Sequence, residues 1–305
     1  MDREQLVQSR LITSTNISAP SNQSLTWMMV YICFAYHYKA IFCGFLGKIM
    51  GYEWICYTII HGVSTNHWFE QFVYVPILWY VLYRLILVVF GPNEGEVLGK
   101  AIQRKKVFAI FLSTMYVYAV GIHFTNTLEI FAREQLGITS GALYEQIYWI
   151  DETFSHWVQF FCYFLLFAWL IAHDRLDRTD GKYVAISTGL AHGLERSIGV
   201  IEGDNAYSAM IFVVWILIAC IIRWRRHDRN FGRVWKDYFF RHGLSFTITF
   251  PISLFLYQLV FNGFVQPSEM GIGAWKVVVF AVIVISFGFL IAFWVDSWIT
   301  KRTKK

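Results

Sequence analysis

Eight stretches of this chain are apolar and long enough to cross a lipid bilayer, and this feature limits the fold more than any other. An α-helix needs about 20 residues to cross the roughly 30 Å hydrocarbon core of a membrane. The stretches are numbered here as spans one to eight: 26–46, 72–90, 107–131, 147–172, 183–201, 206–222, 244–264 and 275–298. The sequence therefore predicts an all-α, polytopic integral membrane bundle of eight transmembrane helices.

The composition agrees with this prediction. Hydrophobic residues make up 56% of the 305 residues and charged residues only 15%, whereas a soluble domain carries roughly 25% charged residues. So little charge cannot cover the surface of a soluble protein of this size. The composition excludes a soluble enzyme, a disordered chain and a nucleic-acid-binding module, so we expect membrane lipids as partners and no nucleic acid.

The distribution of basic residues predicts the orientation. Of the 26 Lys and Arg residues, 20 lie in the tails or in loops on the same side as the tails, and only Lys48 and Arg133 lie in loops on the opposite side. Cytoplasmic loops are enriched in Lys and Arg, so both termini are predicted to be cytoplasmic in a multi-pass protein of the cell membrane. This arrangement divides the chain into a polar tail (1–25), one transmembrane domain (26–299) and a basic tail (300–305).

Span five is the most polar of the eight, because it contains His192, Glu195 and Arg196. Polar groups inside a membrane are costly and usually face the interior of a bundle. The same span has small residues at four-residue intervals, Ala185, Gly189 and Gly193. This pattern permits close helix packing, and it predicts that span five lies in the middle of the bundle with its glycines against a neighbouring helix.

Histidines in four spans fall at nearly one depth, about 12 to 14 Å below the predicted outer boundary. They are His37, His123, His156 and His192. Three of these spans also have a carboxylate between the histidine and the outer surface: Glu129, Glu152 and Glu195. The outer half of the chain contains eleven acidic residues and four basic residues, and such a negative field concentrates cations.

Imidazole and carboxylate groups together form the ligand sets of iron and zinc, and imidazole-rich sites also bind copper. The sequence therefore predicts a site for a divalent transition metal (Fe, Zn or Cu) that faces the extracytoplasmic side. In this hypothesis His123, His156 and His192 are ligands, and His37 is a fourth ligand or supports the others. The carboxylates of Glu129, Glu152 and Glu195 are expected to be catalytic, as further ligands or proton donors.

Three functions remain open from the sequence. The leading hypothesis is a metal-dependent membrane enzyme, an oxidoreductase or hydrolase, that acts on a hydrophobic small molecule. The second is a proton- or cation-coupled transporter that uses the same His and Glu groups as a relay, which would require a polar pathway in the inner half of the bundle. The third is a structural subunit of a membrane complex. The sequence allows a homo-oligomer or a hetero-oligomer.

A further expectation concerns the inner side. The segment 223–241 contains seven basic residues interleaved with aromatic residues. This composition predicts an amphipathic helix at an anionic lipid surface.

Overall fold

The computed structural model describes residues 28–29, 31–32, 59–60, 63–91, 96–174 and 184–266, together with positions 280, 283, 290 and 294. Most of spans one and eight, the terminal tails and His37 lie outside the described residues. The number of eight spans and the side on which the termini lie therefore stay predictions.

The described part of the chain is mainly helical, and one short antiparallel hairpin pairs β1 (Ile59–Ile60) with β2 (Val63–Ser64). Its ten α-helices are α1 (Thr65–Phe69), α2 (Val75–Phe90), α3 (Glu96–Ile122), α4 (Asn126–Gln135), α5 (Ala142–Tyr148), α6 (His156–His173), α7 (Val184–Glu202), α8 (Ala206–Arg226), α9 (Phe231–Val234) and α10 (Tyr238–Phe261). Three irregular helical segments join neighbours: a π-helix at Glu70–Tyr74, a 3-10 turn at His123–Thr125 and a second π-helix at Trp149–Ser155.

Among the described residues, five continuous helices are long and apolar enough to cross a membrane. They are His67–Phe90, Lys100–Arg133, Ala142–His173, Ala206–Arg226 and Tyr238–Phe261. They correspond to predicted spans two, three, four, six and seven. Most of them extend several residues beyond the predicted ends, because polar residues at a helix end continue the backbone hydrogen bonding outside the apolar window.

Helix α7 forms where span five was predicted, but it is too polar to be one of these five helices. Its polar residues are instead enclosed by protein: the exposed fractions of His192, Glu195 and Arg196 are 0%, 5% and 1%. The prediction that span five lies inside the bundle is confirmed.

The glycines of α7 lie against α10. A β-carbon on Gly193 would lie 3.0 Å from the backbone oxygen of Phe246, and one on Gly189 would overlap the backbone oxygen of His242. Gly189 therefore meets an earlier residue of α10 than Gly193 does, so the two helices run parallel. The close approach predicted from the small-residue pattern is confirmed, and α10 is the neighbour.

Helix α6 packs against α7 in the opposite direction. The ring of Tyr163 is 5.4 Å from that of His192, while a β-carbon on Gly199 would meet Phe160 at 3.9 Å. The other sides of α6 contact α3, α8 and α10 through aromatic rings, including the Tyr116–Tyr163 pair at 5.4 Å. Helix α6 thus lies at the centre of the described bundle, with α7 between it and α10.

A buried ion cluster closes one end of this bundle. The Nε atom of Arg223 in α8 donates to Asp237 at 2.6 Å, and its Nη2 atom lies 3.2 Å from a carboxylate oxygen of Asp174 after α6. Asp237 also accepts a hydrogen bond from the backbone N–H of Phe240 and so caps α10. Within the basic segment 223–241, Arg223 and Arg241 are therefore buried side chains of the protein core rather than lipid-facing groups.

Candidate metal centre

Three carboxylates from two irregular helical regions meet in one group. Glu129 lies in α4, and Asp151 and Glu152 lie in the π-helix that precedes α6. One carboxylate oxygen from each residue lies within 4.8 Å of the other two. Glu129 and Asp151 are buried, with exposed fractions of 4% and 0%, and Glu152 is partly exposed. Like charges held this close favour the binding of a cation.

The local helix geometry brings these groups together. The 3-10 turn His123–Thr125 interrupts the helix that contains Glu129, and the π-helix Trp149–Ser155 contains both Asp151 and Glu152. Each segment departs from the regular i to i+4 hydrogen bonding. Short π-helical segments inside α-helices are frequent at functional sites. Both irregular segments contribute to the same group of side chains here.

Asp151 is fixed by neutral donors. The side-chain amide of Asn126 donates to its Oδ2 atom at 2.9 Å, and the hydroxyl of Thr125, which also donates to the backbone oxygen of Ile122 at 2.8 Å, lies 3.2 Å from its Oδ1 atom. Both of these donors are neutral groups, and together they orient the carboxylate.

Glu129 has two partners of its own. Tyr144 of α5 donates its hydroxyl to Oε1 at 2.9 Å, and Arg133 approaches the same oxygen at 3.4 Å. The Arg133 side chain is 48% exposed, so solvent screens much of its charge. The tyrosine hydroxyl is the partner that fixes the direction of this carboxylate.

His156 lies at the edge of the carboxylate group. Its Nδ1 atom is 2.9 Å from the backbone oxygen of Glu152 and 3.6 Å from a carboxylate oxygen of the same residue. A carbonyl oxygen only accepts, so Nδ1 carries the proton and Nε2 has the lone pair that a metal ligand needs. Gly203 packs directly against the imidazole ring of His156, since a β-carbon at Gly203 would lie 2.8 Å from the imidazole Cγ atom.

The structure gathers some of the residues predicted from the sequence and separates others. Glu129 and Glu152 come together with Asp151, and His156 lies beside Glu152 but outside this group of three. The backbone of His123 lies in the 3-10 turn beside Thr125, while its side chain and the whole of His37 are outside what is described.

His192 lies apart from this centre. His156 contacts Gly203, which comes eleven residues after His192 in the chain, or roughly 16 Å along a helix. One ion with ligand distances of roughly 2 Å cannot bridge such a separation. The similar depths predicted for these two histidines do not correspond to a common position, because α7 ends near His156, whereas the continuous helix that contains α6 extends past it to Ala142.

A second polar group surrounds His192, and it includes a residue that sequence reasoning missed. The Nδ1 atom of His192 lies 3.1 Å from the Nε2 atom of His242 in α10, and both side chains are 0% exposed. Because span seven was predicted to begin at residue 244, His242 was assigned to the loop before it. The sequence feature that could have placed His242 inside the helix is Asp237, because aspartate commonly caps the first turn of a helix.

Glu195 and Arg196 form another buried pair. The Nε atom of Arg196 lies 2.8 Å from a Glu195 carboxylate oxygen, and its guanidinium carbon lies 4.2 Å from the centre of the Tyr163 ring. Arg196 also approaches the hydroxyl of Tyr116 at 3.4 Å. In this structure Glu195 is the partner of an arginine and is not part of the carboxylate group at Glu129.

Comparisons of the chain with protein-family models, with curated proteins and with solved structures found no match. Its function is therefore inferred from the geometry of its own residues.

Proposed function

We propose that this protein is a membrane-embedded enzyme that depends on a divalent metal ion held by Glu129, Asp151 and Glu152. The observation that carries the proposal is the meeting of these three carboxylates within 4.8 Å in a membrane-like helical bundle. Carboxylates that project inward from several helices are the ligand arrangement of the helical-bundle metal enzymes. His156 lies outside this group of three, beside Glu152, and its role is that of a proton acceptor through its Nε2 atom.

The ligand set favours some metals over others. Carboxylate oxygens suit Mg²⁺, Ca²⁺ and Mn²⁺, and the addition of an imidazole suits Fe²⁺ and Zn²⁺. Copper prefers a site with several imidazole ligands. The group here consists of three carboxylates with one described histidine beside it. Among the transition metals, this ligand set leaves Mn²⁺, Fe²⁺ and Zn²⁺ as the candidates.

The surroundings support a lipid-soluble substrate. Large apolar side chains next to the metal-binding residues are exposed: Leu128, Phe131, Trp149 and Phe154. Trp149 and Phe154 stack with their ring centres 5.6 Å apart. In a membrane such residues face lipid, so a hydrophobic molecule reaches the carboxylates laterally from the bilayer.

The chemical roles follow from the residues. A bound divalent ion polarises an oxygen of the substrate or lowers the pKa of a bound water. Asp151 is pre-oriented by Thr125 and Asn126, so it keeps its position when charge changes at the centre. His156, with its lone pair on Nε2, accepts a proton during the reaction. The acidic outer half of the chain supports an extracytoplasmic position for the centre.

The test is elemental analysis of the protein purified in mild detergent after extensive dialysis. We expect about one transition-metal ion per chain in the wild type, and a large loss in Asp151→Asn. Glu145→Gln is the matched control, because Glu145 is an exposed carboxylate of α5 and should retain the metal. A wild type without stoichiometric metal after incubation with Mn²⁺, Fe²⁺ and Zn²⁺ would contradict the proposal. So would an Asp151→Asn protein with the wild-type metal content.

A proton-coupled transporter is the second candidate, and one observation favours it. The buried pair of His192 and His242 extends polar groups toward the end of the bundle at which the basic segment 223–241 lies. A transporter requires such groups, and an enzyme with a one-sided site does not.

A further inference from the structure

Three helices end or begin close together around the buried Arg223. Helix α6 ends at His173, α8 ends at Arg226 and α10 begins at Tyr238, and the ion cluster of Arg223 joins them. The 21 residues of α8 make a helix about 31 Å long, which is close to the hydrocarbon thickness of a bilayer. This end of the bundle, called here the Arg223 end, therefore lies at a membrane boundary.

The charge exposed at the Arg223 end is almost entirely positive. Two of its acids, Asp174 and Asp237, are buried against Arg223, and Asp228 is the one exposed acid among the side chains described there. The exposed basic side chains are Lys100, Arg104, Arg225, Arg226, Arg229, Arg233 and Lys236. A surface with this balance of charge attracts anions.

Trp169, one turn before the end of α6, is the centre of a smaller group within this surface. Its indole N–H donates to the backbone oxygen of Lys105 in α3 at 3.1 Å, and its ring centre lies 4.0 Å from that of His173. The ring of Phe108 in α3 meets it edge to face at 4.8 Å. These contacts fix the backbone of Lys105 beside the last turn of α6.

Arg226 reaches the same place from α8. Its Nη1 atom donates to the backbone oxygen of Ala172, the neighbour of His173. The positive charges of Lys105 and Arg226 both act on His173, so cations from two other helices lie around the end of α6. A guanidinium has five N–H donors in a planar fork. The bond to Ala172 fixes the exposed Arg226 side chain and leaves other donors for an anion.

The end of α6 does not by itself account for this many cations. A helix C-terminus attracts positive charge, but the buried Arg223 already donates to the backbone oxygen of Ile171 at 3.2 Å, and Arg226 donates to that of Ala172. Lys105 adds a further positive charge beside them. Like charges held close together are costly, and a bound anion lowers that cost.

A partly exposed stripe of α6 leads away from the cations toward the other side of the membrane. Helix α3 borders it through the contact between Phe108 and Trp169, and α8 borders it through Trp215, whose ring centre is 5.2 Å from that of Phe161. The stripe is therefore the floor of a groove between α3 and α8, about 24 Å long. Its residues recur every four positions: Trp157, Phe161, Leu165, Trp169 and His173.

The cations and the groove together match a phospholipid. Phosphate oxygens accept paired hydrogen bonds from the planar fork of an arginine, and a lysine adds a point charge. The aromatic and aliphatic floor of the groove suits an acyl chain that lies along the helices. Tryptophan, the residue at the junction of the two parts, is enriched at the boundary between lipid and water.

We propose that Lys105, His173 and Arg226 bind the headgroup phosphate of an anionic phospholipid, with an acyl chain in the groove between α3 and α8. The site is separate from the carboxylate centre. Glu129 comes 24 residues after Lys105 on one continuous helix, or about 36 Å away. The proposal therefore holds whether or not the carboxylates bind a metal.

The test is native mass spectrometry of the protein purified and delipidated in mild detergent, titrated with phosphatidylglycerol or with phosphatidylcholine. We expect one phosphatidylglycerol to bind tightly and phosphatidylcholine, which is zwitterionic, to bind weakly. The double variant Lys105→Gln/Arg226→Gln should bind phosphatidylglycerol at least about tenfold more weakly. Glutamine can still form hydrogen bonds but carries no charge.

The matched control is the double variant Arg233→Gln/Lys236→Gln. It removes two exposed positive charges from the Arg223 end but leaves the group around Trp169 intact, so it should bind phosphatidylglycerol like the wild type. Lys105→Gln alone keeps the bond from Arg226 to Ala172. It tests the site even if the first double variant does not fold, and it should bind the lipid severalfold more weakly.

Three results would overturn the proposal. One is equal binding of the two lipids by the wild type. Another is an equal loss of affinity in the two double variants, which would show attraction by net charge alone. The third concerns the source of the phosphate: inorganic phosphate lacks an acyl chain, so we expect that it does not displace phosphatidylglycerol at equal concentration. Displacement would assign the cations to a soluble phosphate instead of a lipid.

Discussion

Gly189 of α7 lies directly against the backbone oxygen of His242 in α10, with no room for a β-carbon between them. The neighbouring contact, between Gly193 and the Phe246 oxygen, is of the same kind. Since backbone atoms cannot move aside as a side chain can, the two glycines determine the separation of the helices. The separation in turn places the His192 and His242 rings within hydrogen-bonding distance.

Substitution of Gly189 tests this relationship. We expect Gly189→Ala to destabilise the protein by about 1–3 kcal/mol, as overpacking of a core does. Gly199→Ala is the control on the same helix, because its β-carbon would meet Phe160 only at 3.9 and 4.0 Å. That variant should be neutral or slightly more stable, since alanine favours a helix more than glycine does. Thermal unfolding in detergent measures both, and equal losses would contradict the packing.

Arg223 is expected to be important for stability at the end of the bundle where α10 begins. Arg223→Ala leaves the buried carboxylates of Asp174 and Asp237 without their shared cation, and loss of one partner of a buried ion pair costs about 3–5 kcal/mol. Arg225→Ala removes an exposed arginine two residues further along the same helix, so little change is expected. A small effect of Arg223→Ala on the unfolding temperature would show that the cluster is hydrated rather than buried.

Arg196 and Glu195 should depend on each other. Arg196→Met removes the guanidinium group that lies 2.8 Å from the buried Glu195 carboxylate, so it should destabilise the protein strongly. The double variant with Glu195→Gln also removes the buried negative charge, and we expect it to recover part of the lost stability. A double-mutant cycle from thermal unfolding measures this coupling. Additive losses from the two single variants would contradict a direct interaction.

Tyr144 provides a test of the metal centre that leaves its ligands intact. Tyr144→Phe removes the hydroxyl that donates to Glu129 at 2.9 Å. Loss of a group that orients a ligand typically weakens metal affinity roughly ten- to a hundredfold, so we expect weaker Mn²⁺ binding in isothermal titration calorimetry. Tyr118→Phe is the control, since the Tyr118 side chain is 62% exposed in α3. Unchanged affinity in Tyr144→Phe would argue against Glu129 as a ligand.

Several features of this chain were predictable from sequence because they depend on local properties. The length of an apolar stretch and the spacing of residues along a helix require no knowledge of neighbours. This is why α7 was expected at span five, and why Glu152 and His156 were expected on one face. The start of α10 was less predictable, because its first turn is polar and lies before the apolar stretch, although Asp237 caps it.

The sequence by itself determined that this chain forms apolar helices of membrane-spanning length, with a polar helix enclosed among them. It also determined which side chains share a face of each helix. Only the tertiary structure decided which faces meet, because the rotation and relative level of two helices depend on packing between residues far apart in the chain. Gly189 and Gly193 pair His192 with His242, and the π-helix at Trp149–Ser155 pairs Asp151 and Glu152 with Glu129. The histidine layer expected from depth alone is thereby divided between a carboxylate centre and a buried imidazole pair.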